Sequence, residues 1–420
     1  MVAALVIGLA VGAGIQAWGI PGGAGTVAVI EGLGSVWLNA LRITVIPLVF
    51  ALLVTGIVSI ADAAATGRLA VRALVIFAIL LAGAVIYGIA AGVGLLALWP
   101  VDPEGARALL AGIPGGAAAE VREAAATDGF QAFLNSLAPA NLVRAAADDG
   151  VLGVVVFAMA FGFAATRLEN RLRRPLADFF EATAEAMVVI VHWVLKAAPL
   201  GVFALALGVG LRAGLGAVGV LGHYVSIVSL SQIGLILISY GVVMVFGRIA
   251  IGRFAQAAAP AQVVAFSTQS SLASLPVMVE RARDFLGVPA ASAGLILPLA
   301  VAVFRMTSAV ANLAVCLYVA QLYGIELTPL ALIAGGLTAF AVGISSVGLP
   351  GQVSFFASIG PICLAMGLPL EVLPILLAVE VVPDIFRTIG NVTWDLAATR
   401  IIAGDDEAAE AEVRERLAAD

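Results

Sequence analysis

Residues 73–99 carry no charged side chain, and the same holds for 43–61, 217–247 and 285–304. A helix crosses the ~30 Å of bilayer hydrocarbon with about 20 apolar residues. Runs of this length, repeated along the chain, predict membrane helices. Composition agrees, at 62% hydrophobic and 11% charged residues over 420; soluble domains carry about a quarter charged residues. The chain is therefore predicted to be an all-α polytopic membrane protein, and the informative residues are the polar groups inside it. The apolar stretch Met1–Trp18 lacks a basic leader region and reads as a first span rather than a cleaved signal. The net charge of −6 sits mostly in loops and carries little information. Cys316 and Cys363 lie in apolar segments and read as small core residues, and His192 and His223 lack metal-ligand spacing. No nucleophile–base constellation, metal cluster or phosphate-binding loop stands out, so the sequence predicts no enzyme, cofactor, metal or nucleic-acid partner.

Taken in order, spans are expected at about 2–19, 30–61 (with a kink at Pro47), 69–99, 151–166, 176–211 and 217–247, with residues 100–150 as an extended connection containing short helices. Arg68 and Arg72, the basic loop Arg167–Arg174, and Arg248 with Arg253 fall on one side if spans alternate. The positive-inside rule makes that side cytoplasmic, with both termini there, in a cell inner membrane. Residues 404–420 read as a solvated charged tail. After residue 250 the pattern breaks. FSTQSSLASLP interrupts 254–286, FRMTS interrupts 290–323, and SSVGLPGQ interrupts 328–366. Irregular backbone at membrane depth is tolerated only where protein or a wet cavity covers it. Broken segments in corresponding positions point to a transporter built from inverted repeats, with its site near the midplane.

The densest polar stretch is EVVPDIFRTIGNVTWD, Glu380–Asp395, inside an apolar segment read as 368–403. Asp384, Arg387, Thr388, Asn391 and Asp395 share most of one helical face at ~100° per residue. Ionisable groups in such a segment face a bundle interior or cavity. A cation, carboxylates, a hydroxyl and an amide on one face suit a small zwitterion; a self-neutralising Asp384–Arg387 pair is the plainer alternative.

These stretches resemble the glutamate transporter family, the dicarboxylate/amino acid:cation symporters. The resemblance rests on LRITVIPLVFALLVTGI, NLVRAAADDGVLGVVVFAMAFGFA, APLGVFAL, FSTQSSLASLP, GLPG and DIFRTIGNVTWDL, in that order. It implies eight transmembrane helices plus two re-entrant hairpins and an elevator mechanism in a homotrimer. It also implies a division of the chain: 1–67 and 100–215 would hold scaffold helices, 68–99 and 216–403 the transport domain, and 404–420 a cytoplasmic tail. Residue by residue, Asp384 matches the carboxylate that binds the substrate amino group, and Arg387 the guanidinium that binds a side-chain carboxylate. Thr388 and Asn391 match further polar contacts. Ser270 and Ser271 lie at the first hairpin tip, Gly348, Pro350 and Gly351 at the second, and Ser308 where the family has a threonine. The implied substrate is aspartate or glutamate. A dicarboxylate or a neutral amino acid is the alternative, and an anion-leak pathway a third.

The chain departs from the family where sodium ligands are expected. The family's NMDGT reads FRMTS here, so Phe304, Arg305, Met306, Thr307 and Ser308 take those places. A Tyr/Thr-Ser cluster of the third helix falls on Phe77, Leu80 and Leu81, whereas the carboxylate Asp395 remains. Hard cations need oxygen ligands. The expectation is that sodium coupling is lost at these positions and that Arg305, reaching Asp395 or Asn391, replaces the cation. The resemblance also implies a second sodium site of mostly backbone oxygens near the second hairpin, about which side chains say nothing. Glu380, one turn before Asp384, is a candidate proton carrier; uniport or exchange is equally open.

Overall fold

A computed structural model describes residues 2–18, 23–65, 67–111, 113, 135, 137–148, 150–213, 216–345 and 351–404. The helices in chain order are α1 (Val2–Ala17), α2 (Gly23–Ala64), α3 (Arg68–Leu98), α4 (Pro103–Ala111), α5 (Leu142–Ala147), α6 (Val151–Ala165), α7 (Asn170–Lys196), α8 (Ala198–Ala213), α9 (Gly216–Phe246), α10 (Ile251–Thr268), α11 (Ser271–Leu286), α12 (Ala290–Val303), α13 (Met306–Tyr323), α14 (Pro329–Ser345), α15 (Gly351–Ala365), α16 (Leu373–Val379) and α17 (Val381–Ala403). No strand occurs among the described residues. Gly25–Ala64, Arg68–Leu98, Val218–Phe246 and Ala290–Tyr323 are each long and apolar enough to cross a bilayer. Residues Asn170–Lys196 and Ala198–Arg212 do so as a pair bent by 55°.

Three expected segments differ. The long span over 176–211 is two helices meeting at Ala197, because Pro199 cannot donate to Leu195 and so ends the first ladder. The basic stretch after α6 is mostly helical rather than a loop: Arg171, Arg173 and Arg174 open α7. Its buried residues Ala184, Val188, Val191 and Leu195 recur every three or four positions, which gives the helix one inward stripe. The third difference is the apolar segment over 368–403, which splits at Glu380 into α16 and α17. Pro383 has no N–H to give to the Val379 carbonyl, so the ladder restarts with Asp384 N donating to Glu380 O at 2.9 Å. The break expected in 290–323 is present. Phe304 (φ −120°, ψ 82°) and Arg305 (φ −110°, ψ 64°) leave helical geometry between α12 and α13.

Two groups of helices pack among themselves. In the first, α1 lies along α8, and α2 contacts α6, α7 and α8. A Cβ on Gly12 would overlap the Leu207 carbonyl, and one on Gly210 the Leu9 carbonyl, so α1 and α8 approach backbone to backbone. Close approach through small residues is how helices associate without a hydrophobic drive between them. Glu31 of α2 pairs with Arg212 of α8, and the Trp37 indole donates to Val194 O at 2.9 Å. In the second group, α3 lies along α13, and α17 packs on α9, α10, α12 and α13. One ion pair, Arg42 to Glu371 at 3.2 Å, ties α2 to the segment between α15 and α16.

Helices α10 and α11 form a hairpin. It turns at Gln269 in the left-handed region (φ 50°, ψ 34°) and restarts at Ser270, whose Oγ accepts from Ala273 N at 3.2 Å. That bond satisfies one of the orphan donors that open any helix. Helices α14 and α15 also pack on each other.

Candidate functional site

Helix α17 is held on its outer faces. The Trp394 indole donates to Leu235 O at 3.1 Å, Arg400 Nε donates to Gly247 O at 3.1 Å, and Gln262 Nε2 donates to Thr393 Oγ1 at 2.8 Å. These bonds to α9 and α10 set the rotation of α17. Its remaining polar face, Asp384–Arg387–Thr388–Asn391–Asp395, is directed into the bundle, and all five side chains are buried.

At the start of α17 the Arg387 guanidinium lies between two carboxylates. Nη2 donates to Glu380 Oε1 at 2.5 Å and Nη1 to Asp384 Oδ1 at 3.1 Å. The other Glu380 oxygen accepts from the Tyr224 hydroxyl at 2.6 Å. The break at Glu380 allows this: it turns the Glu380 carboxylate back toward a residue two turns on. Thr388 Oγ1 donates to Asp384 O at 3.0 Å, so its hydroxyl is turned onto its own helix.

One turn deeper, Asn391 reaches across to the first residues of α13. Its Oδ1 accepts from Thr307 N at 3.0 Å and Ser308 N at 3.3 Å, and its Nδ2 donates to Ser308 Oγ at 3.0 Å. Residues after a helix break have N–H groups without an intrahelical acceptor, and here a side chain from another helix supplies one. Ser308 and Asn391, both expected at the site, are thus brought into contact.

Four buried groups in this region lack hydrogen-bond partners among the described residues: Arg387 Nε, Thr307 Oγ1 and both carboxylate oxygens of Asp395, which is 1% exposed. Native interiors leave few such groups, and each one asks for an explanation. Arg305 forms no hydrogen bond or ion pair within 4 Å with another described residue, so its expected contact with Asp395 or Asn391 is not made. The break at Phe304–Arg305 sets the direction in which this side chain leaves the backbone. The formal count in the cluster is three carboxylates (Glu380, Asp384, Asp395) against two guanidiniums (Arg305, Arg387).

The Phe77 and Phe304 rings stack, with centroids 4.5 Å apart and planes at 17°. Both are buried, as are Leu81 and Met306. Two of the positions at which the family's sodium ligands are expected, Phe77 and Phe304, therefore adjoin one another and offer carbon instead of oxygen. Among the described residues no group of three or more His, Cys, Asp or Glu side chains is placed to hold a metal ion.

A family model described as the sodium:dicarboxylate symporter family matches residues 1–404. The chain belongs to that family. Its members are transporters and not enzymes, and this chain is a multi-pass membrane transporter of the class that carries acidic amino acids and dicarboxylates. Among similar proteins, the proton/glutamate-aspartate symporter of Escherichia coli (strain K12) is 26% identical over 385 residues, 90% of this chain and 85% of the other. The C4-dicarboxylate transport protein of Rhodopseudomonas palustris (strain BisB5) is 28% identical over 381 residues, 89% of this chain and 82% of the other. The neutral amino acid transporter B(0) of Homo sapiens is 29% identical over 437 residues, 94% of this chain and 77% of the other.

In this symporter-family chain, both helices of the first hairpin, α10 and α11, pack on α17. Ser270 caps α11, and Ser271 is buried at its first position. Gly348 and Pro350 lie outside the described residues, as does the environment of Gly351. Sequence reasoning missed Tyr224, whose only signal was a phenol in a charge-free span. It also missed Gln262, an amide in α10 that bonds Thr393 and the Tyr240 hydroxyl.

Helices α17 and α13 approach closely at Gly390, where a Cβ would overlap Oγ1, Cγ2 and Cβ of Thr307. Thr307 is stiff at χ1 and cannot swing away freely. Gly390→Ala is expected to destabilise by about 1–3 kcal/mol, the usual cost of overpacking. It should also weaken substrate binding, by moving Ser308 away from Asn391. Thermal melts with and without aspartate check this, and Thr307→Ala in the same chain should restore part of both losses. Unchanged aspartate stabilisation in Gly390→Ala would mean that this contact does not shape the site.

Proposed function

We propose that the chain carries an acidic amino acid, aspartate or glutamate, across the membrane without sodium drive. The observation that supports it most is the pairing of Asp384 and Arg387 on one buried face beside Ser308 and Asn391. In this reading the Asp384 carboxylate takes the substrate ammonium, and Arg387 turns its planar fork to the side-chain carboxylate, a geometry lysine does not offer. The substrate then replaces contacts that Arg387 makes with Glu380 and Asp384 at rest. Thr388, Asn391, Ser308, Ser270 and Ser271 would supply the remaining polar contacts, with the second tip (Gly348, Pro350, Gly351) closing over them. A dicarboxylate is the second reading. It is supported by the name of the relative from Rhodopseudomonas palustris, a C4-dicarboxylate transport protein.

Absence of sodium drive is supported by the Phe77–Phe304 stack and by buried Met306, which leave Asp395 as the remaining oxygen ligand of that set. Arg305 would then supply the positive charge that Asp395 otherwise lacks. The relative from Escherichia coli is named for protons alone. Glu380 remains the candidate for a proton carrier, as a buried acid joined to Tyr224 and Arg387.

For the mechanism, α1, α2, α6, α7 and α8 would form the scaffold of a homotrimer. The group of α3 and α9–α17 would slide against it as an elevator, with both termini cytoplasmic. The chain would contain eight spans and two re-entrant hairpins.

Uptake of labelled aspartate into proteoliposomes tests the central claim. The rate is expected to be the same with external sodium or choline, and a steep rise with sodium would sink the sodium-free reading. Thermal stabilisation by aspartate, glutamate, succinate and serine separates the solutes, since a ligand bound only to the folded state raises its melting temperature. Stabilisation by succinate and not by aspartate would replace the first reading with the second.

A further inference from the structure

We propose that an apolar cavity between the two groups of helices is a lipid site that takes an acyl chain of an anionic phospholipid. The cavity has a volume of about 330 Å³ and is walled by Leu53 and Ile57 of α2, Phe77 and Ala78 of α3, and Phe340 and Ala341 of α14. That is within the ~300–1,000 Å³ range of small-molecule pockets. Every side chain on its wall is a hydrocarbon, an aromatic ring or a thioether, so water finds no partner there. An empty space of this size forfeits the dispersion contacts of its whole lining. The occupant is therefore apolar.

Three observations identify it as lipid. Phe163 of α6 lines the cavity and is 63% exposed, so the wall continues onto the outer surface of the bundle. Val71, Val75 and Ile79 of α3 are exposed apolar side chains on that same helix, a face suited to hydrocarbon. The third observation is charge. Arg68 and Arg72, both exposed, open α3 just before the first of its lining residues, Leu74. At ~1.5 Å per residue Arg68 stands about 9 Å along the axis from Leu74. A tail in the cavity would thus leave its headgroup beside the Arg68 guanidinium, which favours an anionic phosphate over a zwitterionic one.

The position gives the site a consequence that does not depend on which solute is carried. The chain would lie between helices that contact α2 and helices that contact α17, against the Phe77 ring that stacks on Phe304. Its presence or absence would change how the two groups move past one another.

The test is photo-crosslinking in liposomes with phosphatidylglycerol that carries a diazirine on its acyl chain, set against phosphatidylcholine with the same chain. Label is mapped by mass spectrometry. In the unaltered protein it is expected to concentrate on Leu53, Ile57 and Phe340, above exposed apolar residues such as Ile7 and Leu237. Phosphatidylglycerol should label more than phosphatidylcholine, and Arg68→Gln should reduce that difference. Ala341→Phe and, separately, Ala78→Leu fill the cavity and should remove its label while label on the outer faces stays. Label spread evenly over exposed helices would overturn the proposal. So would an unlabelled cavity, which would mean that a second copy of the chain covers it. Equal labelling by the two lipids would overturn the anionic headgroup.

Discussion

Arg387→Gln should abolish saturable uptake of aspartate and glutamate and should also lower the melting temperature. The guanidinium is buried and bonded to both Glu380 and Asp384. Removing one partner of a buried ion pair costs about 3–5 kcal/mol, because the other charge is left uncompensated. Two carboxylates are left here. At ~1.4 kcal/mol per tenfold, binding that depended on this contact falls at least about 100-fold. Folding and binding can be separated. Arg387→Lys keeps the charge and loses the fork, so it should recover most of the melting temperature and little of the uptake. Glu380→Gln combined with Arg387→Gln should likewise recover stability without transport. If Arg387→Lys carries aspartate as well as the parent does, the guanidinium is a structural brace and the substrate carboxylate binds elsewhere.

The second large effect is expected at Arg305. Asp395 is 1% exposed, and neither of its oxygens has a hydrogen-bond partner among the described residues. In the proposed reading Arg305, at the break between α12 and α13, supplies the compensating charge. A buried charge without compensation is among the costliest states in a protein. Arg305→Leu is therefore expected to lower the melting temperature sharply and to stop transport. Asp395→Asn in the same chain should restore the melting temperature. The pair should be strongly non-additive, with an interaction energy of about 0.5–3 kcal/mol, as found for coupled residues. Additive melting shifts across the cycle of single and double variants would show that Arg305 does not compensate Asp395.

Much of the architecture was readable because its causes are local. Apolar runs bound α1, α3, α6 and α9 closely, and the polar interruptions FSTQSS and FRMTS mark two breaks that the backbone makes at Gln269 and at Phe304–Arg305. Prolines explain where the reading ran too long: Pro199 and Pro383 each remove a ladder bond inside what hydropathy reads as one segment. The face of α17 was legible from spacing alone, but the partners of that face were not. In the sequence Asn391 matches a substrate contact, and nothing in its neighbourhood announces that it caps α13 from another helix. The union of Glu380 with Arg387 depends on dihedral angles at a break, and hydrophobic pattern carries no information about those. Tyr224 sits 156 positions from Glu380 in the chain, and only the packing of α9 on α17 unites them.

The aromatic pair at Phe77 and Phe304 bears on the history open to this lineage. Each ring is the other's neighbour, so exchanging one for an oxygen-bearing side chain leaves its companion facing a hole and a new polar atom without a partner. Building oxygen ligands at this spot would require coordinated changes on two helices, because each single change leaves a buried ring or a buried polar atom without its partner. The stack works as a one-way valve on descent: easily kept, and hard to undo one residue at a time.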